Sequence, residues 1–333
     1  MANRIPEDEQ KRRERERLAA HRGLATWGEK LVPLGEFRQA AATAGRELSA
    51  EERAAALARH GAPAADGVPV EGPFGRVLVF GGVYNNHHGL AALLEAAYAH
   101  RAEAVYCLGD LGGFGPSPDK VWPLLGQGGV RVIQGNYEQS LAGGATDCAC
   151  GYTDPRDNHF AALSYGYTER NTAPAFKRWM GEQPARRRVR VGTKELLLVH
   201  GSPRRVNEFL FHSTSPVAFL EVLVRQNCCD GFLCTHTGLP WHRRLPSGAE
   251  VANVGVIGRP ANDGTTDVRY ALVEASADGL AITLHRLAYD HAALAAEMRA
   301  EGLPPEFVET IETGWWTTCL EILPPKERAA SKF

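Results

Sequence analysis

Ala104-Val105-Tyr106-Cys107-Leu108-Gly109-Asp110 is an apolar run of strand character that stops abruptly at Gly-Asp. A run that is apolar at every position suits a strand buried on both faces, as in parallel sheets covered by helices. Such a strand delivers the Asp110 carboxylate to the carboxyl edge of the sheet, where open α/β folds place their chemistry. Gly-Asp by itself is also an ordinary turn. Asp110 gains weight from Asn136, His200 and His236, each of which follows a similar apolar run. All four can converge on one metal ion.

Working outward, a strand over 76–80 leads into Gly81-Gly82-Val83-Tyr84-Asn85-Asn86-His87-His88 and then a helix over 89–100. After Asp110, Ser117-Pro118 caps a helix that runs to Leu125, and a strand over 130–134 runs into Gly135-Asn136-Tyr137-Glu138. The order β-α-β-α-β predicts a parallel sheet with right-handed crossovers. Residues 146–170 read as irregular and contain Cys148-Ala149-Cys150. Strands over 186–191 and 195–199 flank a Gly192-Thr193 turn and end at His200-Gly201-Ser202-Pro203. A helix opens at Ser215-Pro216, and a strand over 231–234 ends in Thr235-His236-Thr237-Gly238. Strands over 241–245, 250–253, 269–274 and 281–287 read as hairpins.

Outside this core, residues 1–62 read as a helical N-terminal extension, with a capping box from Ser49 to Glu52. Residues 63–75 read as a Gly/Pro/Ala linker, 76–289 as the main domain, and 290–333 as a helical tail. The chain has 333 residues, 37 Lys+Arg against 39 Asp+Glu, and 44% hydrophobic residues. That near-neutral balance argues against a nucleic-acid or membrane-surface role. The charged stretch 1–22 is no signal peptide, and no apolar run is long enough to span a bilayer. Seven cysteines, an odd number, suggest free thiols and a reducing, cytoplasmic setting.

In this order the motifs resemble those of the calcineurin-like metallophosphoesterases, in particular the small bacterial phosphodiesterase and phosphatase branch. The matching pieces are Cys-Leu-Gly-Asp at 107–110, Gly-Phe-Gly-Pro at 113–116, Gly-Asn at 135–136, Val-His-Gly-Ser-Pro at 199–203, Thr-His-Thr at 235–237 and Asn253 to Gly258. The resemblance implies an α/β fold, a four-layer α-β-β-α sandwich, with the helical arm added to it. It implies two metal ions that share one aspartate, clamp a phosphate ester and activate the attacking water. Asp110 takes the place of the shared aspartate, and Asn136, His200 and His236 those of the second-metal ligands. Such a donor set suits Mn, Fe or Zn. The other half of the pattern is missing. The family's Asp-x-His falls on Gly82-Val83-Tyr84, and the second histidine of its Gly-His-x-His falls on Gly238. A second ion is left with Asp110 alone. The histidine that protonates the leaving group falls on Tyr137, which makes Tyr137 or Glu138 the candidate proton donor.

Tyr84 could bind a ferric ion as phenolate, or simply hydrogen-bond across the vacated space. His88 could face the pocket, although a histidine pair at a helix start is commonly a surface feature. Arg204 and Arg205, just past His200, could clamp an anionic ligand, or lie solvated in their loop. Cys148 and Cys150 could hold a soft metal or form a redox pair, without the usual zinc spacing. Trp315-Trp316 reads as a packing anchor for the tail. The expectation is a one-metal hydrolase, acting on a phosphoester or running altered chemistry on a small anionic metabolite. The rival is a catalytically silent binding or scaffold protein. The helical arm offers a surface for a second copy of the chain.

Overall fold

The structure, a computed structural model, describes residues 24–27, 30–33, 66–277 and 279–330. Strands β1 (Leu24–Trp27) and β2 (Lys30–Pro33) form a small antiparallel pair where the sequence reading expects helix. The rest of the expected helical arm lies outside the described residues. Next come β3 (Val70–Phe74), β4 (Arg76–Phe80), α1 (His87–Ala99), β5 (Ala104–Cys107), α2 (Val121–Gln127), β6 (Arg131–Val132), α3 (Asn136–Gly143), α4 (Pro155–Asn171) and α5 (Pro174–Gly181). They are followed by β7 (Arg187–Val191), β8 (Lys194–Leu198), α6 (Val217–Gln226), β9 (Gly231–Cys234), β10 (Trp241–Arg244), β11 (Glu250–Asn253), β12 (Val268–Ser276) and β13 (Gly279–Leu287). The described chain closes with α7 (His291–Ala300), α8 (Pro305–Thr313) and α9 (Pro325–Ala329).

Two sheets result. One has the order β13-β12-β4-β5-β6, the other β10-β11-β9-β8-β7-β3. As expected, β4, β5 and β6 are parallel, and β7 and β8 form an antiparallel hairpin. The period of two along each strand decides the layers. Val77 and Val79 of β4 point inward to meet Val189, Leu196, Leu198 and Leu233 of the other sheet, while Leu78 and Phe80 point outward onto Leu90 and Leu93 of α1. On the far side, Leu197 and Phe232 pack under Leu220 and Leu223 of α6. The molecule is therefore a four-layer α-β-β-α sandwich, with strands apolar on both faces, as the 104–110 stretch requires. Truncating one of these fully buried side chains, as in Leu78→Ala, costs about 2–5 kcal/mol.

Two readings need correction. The linker over 63–75 contains β3, which pairs parallel with β7 at the sheet edge. Pro73 is tolerated there because an edge strand has donors to spare. The irregular stretch over 146–170 contains most of the long helix α4. Asp154 caps it by accepting from the Arg156 N–H, and Pro155 occupies the first turn. The helices of the tail are not an appendage. Leu294, Met298, Phe307 and Ile311 share one core with Tyr84, Phe114 and Phe160.

Candidate metal centre

The carboxyl ends of β5, β6, β8 and β9 meet at one edge of the sandwich. Asp110 follows β5, Asn136 opens α3 just after β6, His200 follows β8, and His236 follows β9. All four side chains are buried. Asp110 and His236 adopt left-handed backbone conformations, with φ of 58° and 56°. Such strain in non-glycine residues is held only where the surroundings impose it, and it is concentrated at functional sites. Gly135 is needed at close quarters: a Cβ there would lie 2.5 Å from Asp110 Oδ1 and 2.8 Å from His200 Cε1.

The donor atoms gather around His200 Nε2. Asn136 Oδ1 and His236 Nδ1 lie 3.1 Å from it, and Asp110 Oδ2 lies 3.3 Å away. Three of the four are oriented from behind by a backbone carbonyl, and Asp110 by the Tyr137 N–H. His200 Nδ1–H donates to Leu108 O at 2.6 Å, His236 Nε2–H to Cys150 O at 3.2 Å, and Asn136 Nδ2 to Cys148 O at 2.8 Å. A carbonyl oxygen only accepts, so these contacts fix both tautomers and the amide orientation. The atoms left facing each other are then all lone-pair bearers. Four lone pairs are held this close only by a shared cation, either a proton on His200 or a metal ion. Burial disfavours charge on His200, but Asp110 outweighs it and raises the His200 pKa. Burial and the neighbouring His200 pull His236 down to about 3, so its ring is a neutral ligand.

These residues fit a metal. Donors about 2.0–2.2 Å from one ion stand about 2.8–3.6 Å apart in right-angled to tetrahedral arrangements. The three separations from His200 Nε2 fall in that window. Carbonyl contacts behind each ligand are the usual means of fixing ligand orientation.

Around Gly82 and Tyr84, where the resemblance implies two further ligands, side chains pack closely. A Cβ at Gly82 would meet Val256 Cγ1 at 2.5 Å and the Tyr84 ring at 2.8 Å. Tyr84 also packs against Gly258, where a Cβ would lie 2.3 Å from Tyr84 Cβ. Burial raises the Tyr84 pKa, Arg259 counters this and Asp110 adds to it, so the side chain is a neutral phenol. That favours a packing and hydrogen-bonding tyrosine over a phenolate ligand. Tyr137 places its ring against Gly113 and its hydroxyl 2.9 Å from Ser164 Oγ. Burial raises its pKa as well, so it faces the cavity as a neutral hydroxyl.

Glu138 is placed differently from the expectation. Its carboxylate accepts from Asp110 N–H, Leu111 N–H and Gly135 N–H at 2.7–2.8 Å, which ties the Asp110 loop to the start of α3. It is a positioning residue turned away from the pocket. His88 lies outside the pocket too: its Nε2 is 3.1 Å from Glu297, whose other oxygen accepts from Lys120 at 2.9 Å. Arg204 is exposed, paired with Glu208 and laid over the Phe219 ring, and Arg205 is exposed. Neither is brought to the four ligands. Cys148 and Cys150 are joined by a disulfide, so the free-thiol expectation holds for the other five cysteines and fails for this pair. The disulfide lies beside the site, since Asn136 Nδ2 is 3.3 Å from Cys150 Sγ.

Two contributors escaped the sequence reading. Asn253 donates to Thr235 O and Thr237 Oγ1 and so holds the loop that carries His236. Arg259 is buried beside the same cavity. Its signal was its place, directly after Gly258 at the end of a matched motif. Trp316, read as an anchor, is one: it is buried, with its indole N–H donating to Pro260 O at 2.7 Å.

No sequence-family model matches the chain. No curated protein matches it either. Solved structures do. A metallophosphoesterase from Sphaerobacter thermophilus is 23% identical, covering 72% of this chain and 98% of that one, with a TM-score of 0.56. A hypothetical protein from Pyrococcus horikoshii OT3 is 22% identical, covering 75% of this chain and all of that one, with a TM-score of 0.61. Layer order, sheet topology and these likenesses agree that the chain has the metallophosphoesterase fold.

Proposed function

We propose that the protein is a metal-dependent hydrolase of phosphoesters that works with one ion, held by Asp110, Asn136, His200 and His236. The supporting observation is the cluster of four lone-pair donors, each braced from behind. An ion of the Mn, Fe or Zn class would supply Lewis-acid polarisation of a phosphoryl oxygen and a lowered pKa for water. The chain supplies the rest. Asp110 is held by the Tyr137 N–H at 3.3 Å and by His200, which fixes the carboxylate in place. Tyr137, relayed to Ser164, presents a neutral hydroxyl that can hydrogen-bond a leaving-group oxygen. The neutral phenol is a poorer acid than the histidine it replaces, so slow turnover is expected. Among the described residues no helix is long and apolar enough to cross a membrane, and the substrate is expected to be small and anionic.

The test is elemental analysis of protein purified without added metal, followed by hydrolysis of p-nitrophenyl phosphate and its bis ester. About one ion per chain, with slow turnover that His200→Ala abolishes, is the expected result. No ion, and none taken up on titration, would leave the silent binding protein as the reading.

A further inference from the structure

Arg259 is 6% exposed and forms no ion pair among the described residues. Its Nε has no hydrogen-bond partner. Aromatic faces cover it: Trp316 at 3.6 Å from the guanidinium carbon, and Tyr84 and Phe114 at 5.9 Å. Tyr152 and Cys319 are its other polar neighbours, and neither is a carboxylate. Among the described residues every other arginine buried to this degree has one: Arg188 and Arg190 pair with Glu195, and Arg269 with Asp263. A buried guanidinium without an anion is costly, and ring faces offset only part of that cost. Its retention implies a missing counter-charge.

Arg259 lines a cavity of about 50 Å³ together with Asp110, His236, Tyr84, Tyr137 and Tyr152. A water requires about 10–15 Å³ on this measure, so the space suits a few waters or one tetrahedral oxyanion. The Asp110 carboxylate in the same lining is already engaged by His200 and the Tyr137 N–H. Neutral hydroxyl and guanidinium donors therefore remain for a ligand.

We infer that Arg259 is the anion-recognition residue of this cavity, binding a phosphoryl-type oxyanion through its guanidinium. This deepens the proposed function, but the arginine contact does not require the ion to be present. A forked, always-charged donor matches the edge of a phosphoryl group and cannot be neutralised at physiological pH.

The experiment follows the thermal midpoint of chelator-treated full-length protein as inorganic phosphate is added at constant ionic strength, with phenyl phosphate as a second arm. A ligand that binds only the folded state raises the midpoint. The wild type is expected to show this rise with phosphate and not with chloride. Arg259→Met should bind at least tenfold more weakly, with its own phosphate-free midpoint no lower than that of the wild type. Arg259→Lys, which keeps the charge but not the fork, should fold and bind more weakly than the wild type. A response to phenyl phosphate identifies the ligand as the phosphoryl group of a monoester; a response to inorganic phosphate alone identifies a free oxyanion. An undiminished phosphate response in either variant, or no response in the wild type, would overturn the inference. Phosphate binding by a chain that takes up no metal would instead sink the one-ion hydrolase and leave Arg259 in its role.

Discussion

The two halves of the site edge are built from opposite materials. Around His200, three polar atoms lie 3.1–3.3 Å from its Nε2; carbonyls brace His200, His236 and Asn136, and the Tyr137 N–H braces Asp110. Around Gly82, the space is occupied by the Tyr84 ring and the Val256 side chain, with Arg259 under Trp316. The first half is a set of lone-pair donors. The second holds a buried guanidinium among aromatic rings.

His200→Ala attacks the polar half at its centre. It is expected to lower metal affinity by more than about 100-fold, to no detectable ion after dialysis, whereas Tyr84→Phe leaves the content unchanged. Stoichiometric metal in the His200 variant would erase the distinction between the halves. The converse attack is the double change Gly82→Asp with Tyr84→His, which puts the expected ligand types back. Because Val256 already occupies that space, the variant is expected to remain at one ion per chain and to lose about 2–4 kcal/mol in urea denaturation. Two ions per chain would show that the second half is only a vacated site.

Two smaller effects sharpen the boundary of the polar half. Glu297 lies outside it. Burial alone would raise its pKa, but contacts with His88, His87 and Lys120 lower it to about 2. A depressed folded-state pKa gives stability that is full above the unfolded value of about 4.5 and is lost as pH falls through the folded value. Glu297→Gln should therefore be less stable by on the order of 2 kcal/mol at pH 6, with the difference gone near pH 2 and metal content unaffected. Thermal midpoints between pH 2 and pH 7 measure it. Cys150→Ser opens the disulfide beside Asn136, while the Cys150 carbonyl still faces His236. Metal affinity is expected to fall by about tenfold, as for other losses behind a ligand, and a competition titration with a chelator reads it. An unchanged affinity would place the disulfide outside the polar half.

The sandwich and the convergence of Asp110, Asn136, His200 and His236 were legible because each lies just past a strand, and a strand apolar on both faces leaves an unmistakable run in the sequence. Helix α4 was missed because its face pattern is weak, although Asp154 and Pro155 announced its start. Glu138 was misread because adjacency to Asn136 says nothing about which way a helical side chain turns. At the first residues of α3 its carboxylate turns back to the N–H groups of the Asp110 loop. Arg259 was passed over for a different reason. Its meaning depends on the absence of a carboxylate within reach, and a sequence lists neighbours along the chain rather than those missing in space. His88, Arg204 and Arg205 were drawn in by proximity to ligands in sequence, but each has an acidic partner or solvent instead.

Trp316 covers Arg259 and Thr318 and Cys319 border the cavity, yet all three come some 80 positions after His236, the last of the four candidate donors. Translation therefore makes all four candidate donors some 80 residues before Trp316, the ring nearest the Arg259 guanidinium. A chain ending after β13 would carry every candidate donor and lack that ring, so the two parts of this edge are separable along the gene as well as in space.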